Sequence, residues 1–252
     1  MSSTNKGKAG SQIDLQLSIA KVQKELNTKI LNLCDRWKDG RIIWYSPIEK
    51  TSFKEFWDNS FWEGRLSPKT ESFWEGLNRP NDFEDFWPKG GPHWDGIAVV
   101  ETSTGDKTLL LIEAKAHKSE LKSDSQAKED SLKTIKNRLK VIQSKSGLIA
   151  DVDWTKRYYQ FANRMAFLLF LQERMVKVAF VYILYANDPY WEKKDKTTVA
   201  NWENAIKKER EYFGIKEDFL RCKSIYDCII DLNTQEFAKL KKAIKENLKC
   251  LK

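Results

Sequence analysis

Histidine and cysteine are scarce in this chain of 252 residues. It holds two histidines, His93 and His117, and four scattered cysteines, Cys34, Cys222, Cys228 and Cys250. No two cysteines stand in C-x-x-C spacing, which excludes zinc ribbons, knuckles and fingers; the two lone histidines exclude His-rich metal sites. Cys222 and Cys228 lie in an apolar stretch and read as buried, reduced thiols. Long hydrophobic runs are missing too. The longest, Met165–Leu171 and Val178–Ala186, are separated by Gln172-Glu173-Arg174 and Lys177, and both fall well short of the ~20 residues of a membrane span. The N-terminal residues Met1–Ser11 are polar, with no apolar run after them. The expectation is a soluble, cytoplasmic protein with no membrane partner.

What is present points to one globular domain. Hydrophobic residues make up 41% and charged residues 32%, a composition that supports a packed core under a heavily solvated surface. Lys+Arg 44 against Asp+Glu 36 leaves +8, so an anionic partner is favoured over a cationic one. Residues 1–11 read as a flexible tail and 12–252 as a single domain, with an aromatic-rich insertion at about 50–90. Phe-Trp pairs recur there at Phe56-Trp57, Phe61-Trp62, Phe73-Trp74 and Phe86-Trp87. Aromatic core is the expectation for them; stacking on unpaired bases is the alternative.

Hydrophobic periodicity divides the rest. A helix is expected from Ile13 to Trp37, and a strand over Arg41–Ile48. Two apolar runs, Asp95–Glu101 and Lys107–Lys115, flank a Gly-bearing turn and form a hairpin covered on both faces. One helix carries Leu132, Ile135, Leu139 and Ile142 and stops at Gly147; a second, with Asp153 as N-cap, runs through Gln160 to about Arg174. Val178–Ala186 is a buried strand, Trp202–Phe213 a helix closed by Gly214, Ile225–Leu232 a strand and Thr234–Leu248 an amphipathic helix. The order α-β-insertion-β-β-α-α-β-α-β-α is that of an α/β domain with a mixed sheet.

Register arithmetic on the hairpin singles out three charged residues. A turn centred on Thr104 places Asp95 opposite Glu113, while Glu113 and Lys115, two apart, share a face. Two carboxylates that close repel, and a strand pair does not need them for stability. A hard divalent cation such as Mg²⁺ removes the conflict, and a lysine beside it can orient or deprotonate water and neutralise charge on phosphorus. The pattern suits metal-assisted phosphodiester hydrolysis. The plain alternative is a hairpin whose ends carry solvated charges. His93 and His117 share the parity of the three residues and border the same end. Lys133, Lys136 and Lys140, with Lys118 and Lys122, can track phosphates or form a solvated face.

Gly91-Pro92-His93-Trp94-Asp95, followed after strand, turn and strand by Glu113-Ala114-Lys115, resembles the PD-(D/E)XK nuclease superfamily. The resemblance implies a restriction-endonuclease-like three-layer core, a central mixed β-sheet flanked by helices. It implies Mg²⁺, with Mn²⁺ as substitute, held by Asp95, Glu113 and the carbonyl of Ala114, with Lys115 catalytic. It implies a nucleic-acid substrate, most simply DNA; a homodimer is compatible with it. The rival is a nuclease-fold binding or interaction protein without catalysis. The chain departs from the pattern at Pro92, which stands three residues before the aspartate instead of next to it. Many members add a first-helix glutamate, for which Glu25 is the nearest candidate. Gln160 stands where a RecB-type glutamine would enter the site, although position 164 is arginine where that branch has tyrosine.

Overall fold

The computed structural model describes residues 9–48, 56–57, 86–88, 92–148, 151–192 and 195–250. Seven strands are present among them: β1 Arg41–Ser46, β2 Phe56–Trp57, β3 His93–Trp94, β4 Gly96–Glu101, β5 Lys107–Lys115, β6 Val178–Ala186 and β7 Ile225–Asp231. The helices are α1 Ser11–Lys21, α2 Gln23–Leu31, α3 Glu129–Ser146, α4 Tyr159–Glu173, α5 Val199–Phe213, α6 Glu217–Cys222 and α7 Ala238–Lys249. Five strands form one mixed sheet in the order β1-β4-β5-β6-β7. Neighbours are antiparallel from β1 to β5 and parallel from β5 to β7. The parallel steps require crossovers, and α3 with α4, then α5 with α6, supply them.

Alternation along the strands makes two cores. Ile97, Val99, Leu109 and Leu111 face α3, α4 and α5. Ala98, Val100, Leu110, Ile112 and Ala114 face α1, α2 and α7. Both faces of β4, β5 and β6 are therefore dry, which is why their sequences read as unbroken apolar runs. Each fully buried Leu or Ile there contributes about 1.5–3 kcal/mol by leaving water. Helix α4 is buried from Phe161 to Leu171 because it lies between β6 and α3. The layers are helix, sheet, helix, the α/β class expected.

Several boundaries differ from the sequence reading. The expected helix from Ile13 to Trp37 is broken: Val22 takes φ −139°, ψ 37°, separating α1 from α2, and Asp35–Trp37 is a separate 3₁₀ turn. The break lets α1 cross onto α7 while α2 follows β1. Helix α1 begins at Ser11, two residues before Ile13. Asp153 does not cap α4. Its carboxylate accepts from the backbone N–H and hydroxyl of Thr155, and α4 begins at Tyr159. Helix α6 was not foreseen, and Cys222 at its end is exposed while Cys228 is buried as expected. Helix α5 starts three residues earlier than Trp202, because Thr198 and Asn201 form a reciprocal capping box.

Of the aromatic insertion, Phe86 and Trp87 are buried, packed on Phe167 and Phe170 of α4 as core. Strand β2 pairs antiparallel with β3, Phe56 facing Trp94 and Trp57 facing His93. The side chains of the pairs at 56–57, 61–62 and 73–74 lie outside the described residues.

Candidate functional site

The hairpin of β4 and β5 has the register the sequence implies. Gly96 faces Ile112 and Glu101 faces Lys107, so Asp95, just before β4, reaches the level of Glu113. Gly96 is needed there: a Cβ would lie 3.3 Å from Ile112, from Leu15 of α1 and from the Ser46 carbonyl. That close approach of three elements presses Asp95 against β5. Its Oδ2 accepts a 2.7 Å hydrogen bond from the backbone N–H of Ala114.

Glu113 and Lys115 point from β5 into the α4 side, and both are buried. Lys115 Nζ donates to Glu113 Oε1 at 2.5 Å. The other oxygen, Oε2, accepts from Arg164 Nε on α4 at 2.8 Å. Arg164 is pinned by two further bonds, to the His93 carbonyl at 2.6 Å and Asn163 Oδ1 at 3.0 Å. Its guanidinium also lies over Trp94, 5.2 Å from the ring centroid. Burial by itself would raise the Glu113 carboxyl, but Arg164 and Lys115 outweigh it and hold the group below its usual range. Burial likewise disfavours the Lys115 ammonium, yet Glu113 and Asp95 raise it above the ordinary lysine value. Glu113 and Lys115 thus each favour the other's charged form.

An open cleft of about 550 Å³ leads to this cluster. Lys115, Glu120, Lys122, Gln160, Asn163 and Arg164 are among the residues that line it. The start of α4 is fixed there by the loop after β5. Ser123 accepts from the backbone N–H groups of Tyr159 and Gln160, and Asp124 accepts from that of Arg157, which is in the left-handed region at φ 61°. Gln160 is thereby held on the wall of the cleft, on the same end of α4 as Arg164.

Other candidates fall elsewhere. Glu25 sits on α2, the helix that follows β1 at the sheet's edge. The acid of the first helix that lies deep in the molecule is Asp14, whose neighbours are Asp188 and Glu120. His117 is satisfied structurally, bonded to Ser119 Oγ and the Asp195 carbonyl and stacked on Trp191 at 4.3 Å. His93 is exposed and contributes its carbonyl to Arg164. Among the lysines, Lys136 pairs with Asp153 and Lys118 with Asp195, while Lys133 and Lys140 are exposed on α3.

Sequence reasoning missed Arg164 as a partner of Glu113, and Asp14, Glu120 and Asp188 as a group. The usable signal for Arg164 was its i+4 spacing from Gln160, which puts both on one helix face. Asp14 and Ser18 bear the same spacing amid Ile13, Leu15 and Ile19.

Among the described residues, no three His, Cys, Asp or Glu side chains gather as a metal-holding group. None of their helices is long and apolar enough to cross a membrane. No family model, curated protein or solved structure matches this chain.

Proposed function

We propose that the chain is a metal-dependent nuclease with a restriction-endonuclease-like PD-(D/E)XK core, hydrolysing phosphodiester bonds in DNA. One observation carries the reading: Asp95, just before β4, bonds the backbone of β5 between Glu113 and Lys115, and Lys115 opens onto the cleft. The donor chemistry fits Mg²⁺ or Mn²⁺, for Asp95 and Glu113 offer hard carboxylate oxygens on either side of Ala114, whose carbonyl would be the third ligand. Such an ion, when bound, polarises the phosphate and lowers the pKa of water.

The remaining roles belong to the chain. Lys115, after Arg164, favours the charged form of Glu113 and presents an ammonium to charge developing on the phosphate. Gln160, from the cleft wall, has an amide able to orient water or a phosphate oxygen. Lys122, exposed at the same cleft, supplies sequence-independent attraction for the strand.

A second reading, a nuclease-fold DNA-binding protein without catalysis, is favoured by one feature. Lys115 and Arg164 already neutralise Glu113 without any metal. The two separate on a panel of plasmid, linear, single-stranded and branched DNA, with RNA and nucleotides, in Mg²⁺ or Mn²⁺. Cleavage of DNA that disappears with chelator and in Lys115→Ala supports the nuclease. DNA binding with no cleavage under any of these conditions sinks it and leaves the binding reading.

A further inference from the structure

We infer that the pocket between α5 and the 3₁₀ turn after β5 seats one unpaired nucleotide of the substrate. The preferred substrate is then DNA with a single-stranded segment beside the cleavage point. The inference rests on the proposed nuclease reading and names the substrate class of that site. The turn, Lys118–Leu121, follows closely on β5 and packs against α5. A pocket of about 330 Å³ lies between them. Asn201, Asn204 and Lys208 reach it from α5 at spacing i, i+3, i+7, which puts them on one helix face. Lys118 and Lys122 reach it from the turn, over an apolar floor of buried Leu121 and Tyr158.

Three lysines meet a single acid there. Asp195 holds Lys118 at 2.7 Å, so that pair is neutral. Lys122 and Lys208 are exposed, and neither meets an acid among the described residues. Two positive charges are thus left for an anion. Asn201 commits its Oδ1 to the Thr198 N–H. Its amide donors, with both ends of the Asn204 amide, remain for a base edge or a sugar oxygen. Cations for phosphate, amides for a base and an apolar floor together suit a nucleotide.

The pocket continues the cleft. Lys122 lines both, and the wall between them is one chain wide, Ser123 in the cleft being bridged to Tyr158 in the pocket. The shallow groove between α2 and β1 lacks this continuity. It shares no lining residue with the cleft, and its Arg41 is held by Glu101. Ligand sites run from ~300 to ~1,000 Å³, so this pocket is at the small end, with room for one nucleotide and none for a base pair. A strand in the cleft can enter it only where it has lost its complement.

The test is binding of the full chain to a blunt duplex and to the same duplex with a single-stranded tail. Chelator is present to prevent cleavage, and fluorescence anisotropy is read across a salt series. The tail should tighten binding about tenfold, as one well-seated base does. Lys208→Gln should weaken binding of the tailed duplex about threefold to tenfold. It should also reduce the salt slope by about 0.7, the value for one single-strand phosphate contact. The blunt duplex should be unaffected. Lys207→Gln removes the same charge one position away, from a lysine paired with Glu211 outside the pocket, and should change neither substrate. Asn204→Ala should weaken the tailed duplex about threefold with no change of slope, as loss of a neutral hydrogen bond does. All three residues are exposed, so the variants should fold. Equal affinity for tailed and blunt DNA, in a chain that cleaves DNA with Mg²⁺, overturns the inference and leaves the nuclease reading intact. So do equal losses in Lys208→Gln and Lys207→Gln, which mark a diffuse field and no pocket. Tail-dependent binding that Lys208→Gln alone weakens, in a chain that cleaves nothing with Mg²⁺ or Mn²⁺, supports the pocket and overturns the nuclease reading. No binding of either DNA, with no cleavage, overturns both.

Discussion

Asp188 offers a stability measurement whose size follows from its surroundings. It is buried where β6 ends, across from Asp14 at the start of α1. No N–H or O–H of the described residues meets either Asp14 oxygen or Asp188 Oδ2, so nothing there stabilises two carboxylate charges side by side. Burial, chiefly, with the charge of Glu120 adding, raises Asp188 to about 6 from an ordinary 3.8, against the pull of the Tyr190 N–H and of Asp14. Asp14 is raised further still, by burial first and then by Asp188 and Glu120. The sign is that of an acid whose folded pKa is elevated. Below about pH 4 both states are protonated and there is no cost; between about 4 and 6 the unfolded state loses its proton first and stability falls. Above about 6 the loss is complete, and at 1.36 kcal/mol per pH unit it amounts to about 3 kcal/mol. Asp188→Asn, whose Oδ1 can still accept from Tyr190, should match wild type at pH 4 and exceed it by about 3 kcal/mol at pH 7. Urea unfolding across pH 4–8, with m unchanged, measures the difference directly. The reasoning is refuted if the wild-type and Asp188→Asn curves run parallel through that range.

Lys115→Ala should end DNA cleavage while leaving DNA binding within a few-fold in anisotropy. It should also destabilise the fold by roughly 1–3 kcal/mol, less than for a wholly unpaired buried charge, because Arg164 still holds Glu113. Arg164→Met leaves Glu113 with Lys115 alone and empties the space over Trp94; a loss of about 3–5 kcal/mol by chemical denaturation is expected. Glu209, fully buried beside Arg210 and Asp227, is raised to about 8 mainly by burial. Glu209→Gln should therefore flatten the fall in stability between about pH 5 and 8, as read from melting at fixed ionic strength. Gly147, at φ 65° with open space around it, closes α3. Gly147→Ala should cost about 1 kcal/mol in urea unfolding, from backbone strain with no steric part.

How far the site could be read in advance depends on the range of the interactions that build it. Asp95, Glu113 and Lys115 belong to one hairpin, whose register is local: turn length and the period of two place them, and β5 runs over Lys107–Lys115 as read. Gln160 was placed beside the site by the resemblance alone, and it lines the cleft. Arg164 was visible only through its spacing from Gln160, never as a partner of Glu113. Its contact with Glu113 spans 51 residues and needs the crossover through α3. Glu25 was brought forward only as the nearest first-helix glutamate for the resemblance, and Asp14 was not considered, because nothing local reveals that Val22 breaks the helix and turns α1 across the sheet.

The amino-acid sequence by itself determined the α/β class, the buried strands β5 and β6, the ends of α3 and α5 at Gly147 and Gly214, and the hairpin that brings two acids and a lysine together. These follow from periodicity, turn chemistry and backbone sterics, which act over a few residues. Only the tertiary structure decided which face of β5 receives Arg164, that Glu113 is neutralised from two elements at once, and that Asp14 and Asp188 are buried as neighbours with their carboxyls raised by burial. Those outcomes depend on burial, since a charge shows its partners and its proton only when the surrounding elements have removed it from water.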